Sequence, residues 1–131
     1  YDGRPAMLLE SFADGKKPYD FLQVFEKKKD VTILKTTPLF EFLLKNITKD
    51  KGRLAATAQT YLAKGLYEIA KQRKKPIVFS GGVAYNEMIS AFMIKKGVLL
   101  NNEIPCGDGG LCFGQAYLAN IGFPNSAARY K

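Results

Sequence analysis

The sequence predicts an α/β protein, and three observations carry that reading. The apolar run Pro76-Ile-Val-Phe79 has the length and β-branched content of a buried strand, and it delivers the paired glycines of Ser80-Gly-Gly-Val-Ala-Tyr-Asn86 into an amphipathic segment. A second glycine loop, Pro105-Cys-Gly-Asp-Gly-Gly110, opens into the helical stretch Leu111 to Asn120. Between these loops and the N-terminus lie three segments with helical spacing of apolar residues and one β-branched tetrapeptide. Strand, glycine loop and helix in succession are how α/β folds hold a phosphate or a nucleoside. Glycines let the backbone approach the ligand, and the following helix offers N–H groups and the positive end of its dipole to an anion.

The elements follow in order along the chain. Gly3 to Ala13 places Ala6, Leu8, Leu9, Phe12 and Ala13 on one helical face, and Asp14-Gly15 supplies a stop. Lys16 to Asp30 is irregular, with Tyr19, Phe21 and Phe25 among lysines, and reads as a surface loop or short strand. Val31-Thr-Ile-Leu34 is a strand. Thr37 is placed as an N-cap with Pro38 at the first helical position, opening a helix through Leu39, Phe40, Phe42, Leu43, Leu44 and Ile47. Asp50-Lys-Gly52 interrupts, and a long helix from Arg53 to about Arg73 presents Leu54, Ala58, Tyr61, Leu62, Leu66, Ile69 and Ala70 as its apolar face. After the strand Ile77 to Phe79 and the first glycine loop comes a helix from Ala84 to Lys96, capped by Gly97. Val98-Leu-Leu100 is the last strand, and the second glycine loop and final helix complete a domain over 1–121. Residues 122–131 are expected to be a loosely held tail.

At 131 residues and 47% apolar content, the chain has material for one core. It begins at Tyr1 without an initiator Met, which suggests a piece of something larger. No stretch approaches the roughly 18 to 20 consecutive apolar residues of a membrane span, and no charged-then-apolar leader is present, so a cytoplasmic protein is expected. Twenty Lys and Arg against 12 Asp and Glu give a net charge of +8. The clusters Lys27-Lys-Lys29 and Lys71-Gln-Arg-Lys-Lys75 fall at the ends of segments read as helical, without aromatic interleaving. They are read as solvated helix ends and not as a nucleic-acid surface. Cys106 and Cys112 do not have CxxC spacing and are read as two buried, reduced thiols. With no His, a serine or cysteine triad built on imidazole is excluded within this chain, and chemistry falls to carboxylates, backbone amides and a bound nucleotide.

Three ordered blocks resemble one family, the HypF-type carbamoyltransferase module, which is related to the tRNA threonylcarbamoyladenosine synthases and more distantly to the actin, sugar kinase and Hsp70 ATPases. Tyr1 to Glu10 is similar to its YEGxAAMxLE helix, with Asp2 in place of Glu; Ser80 to Asn86 is similar to its SGGVxxN loop; and Pro105 to Ala116 is similar to its PxNDGGxxxGQA block. The resemblance runs from Tyr1 to about Ala119 and corresponds to the C-terminal half of the module. The family's HxxxH metal motif, and its acylphosphatase-like, zinc-binding and carbamoyl-adenylate-forming domains, belong before it. There are two departures: Gly107 stands for the usual Asn before Asp108, and Gln59 stands where HypF-type members usually carry His. Gln at that place is closer to the tRNA-modifying branch, whereas the first and third blocks favour HypF.

The resemblance implies half of an actin-like, RNase H-like ATPase module, with short strands and several packed helices. It implies that Gly81, Gly82 and Asn86 hold the phosphates and the base or sugar of ATP, that Asp2 contacts the ribose, and that Asp108 completes a divalent metal site with ligands from the preceding half. The bland readings stand beside these: turn glycines, a helix-capping Asn86, and an Asp108 that caps the last helix. The implied activity uses ATP and carbamoyl phosphate to carbamoylate the C-terminal cysteine of a HypE-like acceptor on the way to [NiFe]-hydrogenase, with this half alone inactive. The rivals are a tRNA threonylcarbamoyladenosine synthase relative and a non-catalytic fragment that binds a nucleotide or a protein.

Overall fold

The computed structural model describes residues 3–121, so Asp2 and the expected tail 122–131 lie outside the described residues. The chain runs α1 (Arg4–Ala13), β1 (Phe25–Lys28), β2 (Val31–Leu34), α2 (Thr37–Lys45), α3 (Lys51–Ala70), β3 (Val78–Phe79), α4 (Glu87–Lys95), β4 (Leu99–Leu100) and α5 (Asp108–Ile121). Single 3-10 turns follow α3, at Lys71–Arg73, and precede α4, at Gly82–Tyr85. The expected α/β class, with short strands and packed helices, is what the structure shows.

α3 is the axis of the fold. Leu54 through Gln59, together with Tyr61, Ala63 and Gly65, are buried, so the helix is covered on most of its circumference. Small side chains make that possible: Ala13 of α1 packs on Ala55 and Ala56, and a Cβ at Gly65 would overlap the Leu34 side chain of β2. Leu39 of α2 joins Ala58 and Tyr61 in a second cluster flanked by Phe21, Leu34 and Leu43. Ala63 joins Ile89, Met93 and Val98 in a third, backed by Ile77, Phe79, Phe92 and Leu100. Two buried polar residues of α3 pin the connection between α1 and β1. The Thr57 hydroxyl accepts from the Tyr19 N–H at 2.8 Å. The Tyr61 hydroxyl accepts from the Val24 N–H at 3.0 Å and donates to the Lys35 carbonyl.

Lys16–Asp30, read as a loop or short strand, contains a short strand: β1 pairs antiparallel with β2, from Phe25 opposite Leu34 to Lys28 opposite Val31. Several other expectations are corrected. Lys29 turns the corner in the left-handed region at φ 51°. Lys27 and Lys28 are therefore on a hairpin and not at a helix end. The α2 N-cap is Thr36, whose side chain makes no capping bond, and Thr37 is already helical. The helix expected from Ala84 begins at Glu87, because Gly82–Tyr85 tightens into a 3-10 turn and Asn86 caps α4. On α3, Leu66 is exposed. β3 and β4 pair in parallel, Val78 with Leu99 and Phe79 with Leu100, but Val78 and Leu99 face outward at 67% and 58% exposure. The strand before the first glycine loop is thus covered on one face only. Cys106 is half-buried and Cys112 exposed, both unpaired, so the expectation of two buried thiols does not hold.

Candidate functional site

The two glycine loops meet at one carbonyl. β3 and β4 lie side by side, so the loops that leave them emerge at the same end of the small sheet. There the Gly81 N–H donates to the Cys106 carbonyl at 2.6 Å, and the Ser80 hydroxyl donates to the same oxygen at 3.0 Å. A further tie runs from the Gly107 N–H to the Tyr85 hydroxyl at 3.2 Å. Gly81 has φ 98°, a conformation that a side chain resists. Gly110 is required for a different reason: a Cβ there would overlap the Pro105 carbonyl oxygen. Gly107, the departure from the family pattern, also has a local cause, since a Cβ would come within 2.7 Å of the Tyr85 ring.

The joined loops enclose a cleft of about 320 Å³ lined by Ser80, Gly81, Gly82, Asn101, Pro105–Asp108, Gly110 and Leu111. Gly81, Gly82 and Asp108 are therefore brought together. A second, more apolar cleft of about 730 Å³ adjoins it at Gly82 and lies between α1 and the first loop, with Gln59 and Leu62 of α3 among its lining. Asn86 belongs to this second cleft. Nothing lies within 4 Å of where a Gly82 Cβ would stand.

The helix that offers its positive end to the first cleft is not the expected one. The α4 N-terminus is already furnished with acceptors: Asn86 Oδ1 takes the Ile89 N–H at 2.9 Å, and Glu10 Oε1 takes the Glu87 N–H at 2.6 Å. It is α5 whose first turn, Asp108 to Leu111, lines the small cleft, with Asp108 as its first-turn acid. A phosphate there gains from the α5 dipole and is repelled by the Asp108 carboxylate.

Asn86 is engaged on both sides of its amide, since its Nδ2 also donates to Gln59 Oε1 at 2.7 Å. Among the described residues, no group of three or more His, Cys, Asp or Glu side chains is placed to hold a metal ion. Asp108 lines the small cleft without a second carboxylate beside it among the described residues. Two carboxyls are held below their ordinary values, and both serve the scaffold. Glu26 is lowered by its hydrogen bonds from Lys35 and Lys28, and Asp50 by the Arg53 N–H it accepts as N-cap of α3. Reading the sequence missed Tyr85 and Ser80 as loop ties; an aromatic residue inside a glycine loop was the signal. Among the described residues, no helix is long and apolar enough to cross a membrane.

Comparison with known proteins places this geometry in a family. Residues 1–115 match the family described as carbamoyltransferase, Kae1-like domain, second subdomain. The chain belongs to that family. It is 35% identical over 140 residues to a probable carbamoyltransferase HypF of Methanocaldococcus jannaschii, covering 94% of this chain and 18% of that protein. It is 29% identical over 126 residues to carbamoyltransferase HypF of Rhodobacter capsulatus, covering 91% and 16%. Among solved structures, full-length HypF in a phosphate- and nucleotide-bound form superposes with a TM-score of 0.80 at 25% identity, over 97% of this chain and 18% of that one. HypF of T. kodakarensis superposes with a TM-score of 0.71 at 34% identity, over 92% and 17%. The chain spans less than a fifth of the length of these relatives.

Proposed function

We propose that this chain forms one wall of the ATP site of a HypF-type carbamoyltransferase, which uses ATP and carbamoyl phosphate to carbamoylate the C-terminal cysteine of a HypE-like acceptor during [NiFe]-hydrogenase maturation. The observation that carries the reading is the Cys106 carbonyl. By accepting from Gly81 and Ser80 it closes two glycine loops around one small cleft. With the Gly81 N–H committed to that carbonyl, Gly81 shapes the turn and Gly82 presents backbone to the phosphates with no side chain between, and the α5 N-terminus faces the same anion. The adjoining apolar cleft, bordered by Gly82 and Asn86, suits the nucleoside. Asp2, outside the described residues, is the ribose contact that the family pattern assigns.

A carboxylate and a phosphate in so small a cleft repel, and a bound divalent cation would offset that repulsion. Asp108 is the residue of this chain that would hold such an ion, with the remaining ligands from the rest of the enzyme. When bound, the ion stabilises charge that develops on the transferring group. The task of the residues described here is to position the nucleotide and hold its phosphates against fixed N–H groups.

The experiment is ATP- and carbamoyl-phosphate-dependent transfer to a peptide carrying the HypE-type C-terminal cysteine. The intact protein should transfer, and the purified 131-residue chain alone should not. Transfer by the isolated chain would sink the one-wall reading. An intact protein that modifies tRNA and leaves the peptide untouched would move the assignment to the threonylcarbamoyl branch suggested by Gln59.

A further inference from the structure

We infer that Gln59 is a positioning residue that sets α1 against the first glycine loop and so fixes the width of the larger cleft. The inference rests on the nucleotide reading above and adds to it a residue that lies outside both glycine loops and meets the first of them only at Asn86. Gln59 is 2% exposed at the middle of α3. Its Nε2 donates to the Leu9 carbonyl of α1 at 3.1 Å and lies 3.4 Å from the Ala55 carbonyl of its own helix, while its Oε1 accepts from Asn86 Nδ2 at 2.7 Å. Leu9 stands on one side of the 730 Å³ cleft, Asn86 on the other, and Gln59 on its floor.

The need for such a strut follows from the packing. α1 places one residue, Ala13, fully in the core, while Met7, Leu8, Leu9 and Phe12 are 38–60% exposed. Apolar burial therefore does little to fix the angle of α1. Polar ties must do it, and Gln59 is the buried one. An amide suits the task because it offers a donor to the Leu9 carbonyl and an acceptor to Asn86 at once. Replacing it with an apolar side chain takes this partner from the Leu9 carbonyl and the half-buried Asn86 amide and frees both walls.

The test measures ATP affinity by calorimetry in the intact protein, well below each variant's melting temperature. Gln59→Met should weaken ATP binding about tenfold. Met93→Ala, a cavity in the core cluster at a residue that does not line the cleft, should destabilise the fold and leave ATP affinity unchanged. Gln59→His supplies one donor and one acceptor when neutral and two donors when charged. It should restore affinity at pH 8 and lose it relative to wild type at pH 6, on either side of an imidazole value of about 6.5. Should Gln59→Met fail to fold, Gln59→Glu serves in its place, since it keeps an acceptor for Asn86 and removes the donor to the Leu9 carbonyl, and the same weakening is expected. Wild-type ATP affinity in Gln59→Met, or equal weakening by Met93→Ala, overturns the positioning role. Binding that Gly82→Val leaves untouched overturns instead the nucleotide reading on which it rests.

Discussion

Glu10 on α1 accepts the backbone N–H of Glu87, the first residue of α4, at 2.6 Å. A carboxylate that lies 77 positions earlier in the chain thus occupies the end of a helix that the glycine motif alone marks as free for a ligand. The consequence is a division of labour between the two helices after the glycine loops. α4 spends its N-terminus on holding α1, and α5 turns its own toward the small cleft.

That division is open to mutation. Glu10→Ala removes both the acceptor and the charge at the α4 N-terminus and should cost about 1 kcal/mol, whereas Glu10→Gln keeps an acceptor and should cost less. Urea unfolding reads the stability, and amide exchange at Glu87 reads the local opening. Equal stability of wild type and Glu10→Ala would show that α1 is held without this contact.

The glycines separate by what surrounds them. A Cβ at Gly82 meets nothing within 4 Å, so Gly82→Val should fold with little change in melting temperature while ATP binding falls steeply. A Cβ at Gly110 overlaps the Pro105 carbonyl, so Gly110→Ala should destabilise the second loop by several kcal/mol and lose binding through misfolding, on the order of other severe steric insertions. Calorimetry beside thermal unfolding distinguishes them, and a Gly82→Val protein with wild-type ATP affinity would take the phosphates away from this loop.

Much of the fold was legible because periodicity and punctuation are local. The long α3, the strand β2 and the two glycine loops all follow from residues within a few positions of one another. β1 was legible only as one of two readings, loop or short strand: Phe-Glu-Lys-Lys lacks β-branched residues and becomes a strand through pairing with Val31–Leu34. The α4 start was misplaced because Ala84 and Tyr85 fit helical spacing, while the decisive interactions, Asn86 with Gln59 and Glu10 with Glu87, come from distant segments. The clefts follow the same rule. Their glycines announced themselves, but the joining of the loops through the Cys106 carbonyl depends on the parallel pairing of β3 with β4.

The hairpin carries a pH dependence of known sign. Lys35 and Lys28 hold the Glu26 carboxyl below its ordinary value by hydrogen bonds, with the Lys35 charge adding to the effect. Because the folded value lies below the unfolded one, the contribution is complete above the ordinary carboxylate range and is lost as pH falls through the folded value. NMR titration should show Glu26 titrating low in wild type and returning toward its ordinary value in Lys35→Met. An unchanged Glu26 midpoint in Lys35→Met would remove Lys35 as the cause. The pair is exposed, so the effect should shrink in high salt.

Asp108 stands at the first turn of α5 and on the wall of the small cleft, so it has two occupations that one substitution separates. As a first-turn acid it complements the helix dipole, and its loss costs about 1 kcal/mol or less. As a metal ligand its loss removes a coordination bond, and among the described residues no other carboxylate lines that cleft to replace it. Asp108→Asn in the intact protein keeps size and hydrogen-bonding capacity and removes only the charge. The ligand role predicts lost divalent metal by elemental analysis and lost carbamoyl transfer, with the melting temperature within a degree or two of wild type. The capping role predicts retained metal and retained rate, with a slightly lower melting temperature. ATP affinity measured without added metal supplies an independent readout. Removing a carboxylate that repels the phosphates should strengthen metal-free binding if Asp108 faces them across the cleft, and should leave it unchanged if Asp108 serves the helix alone.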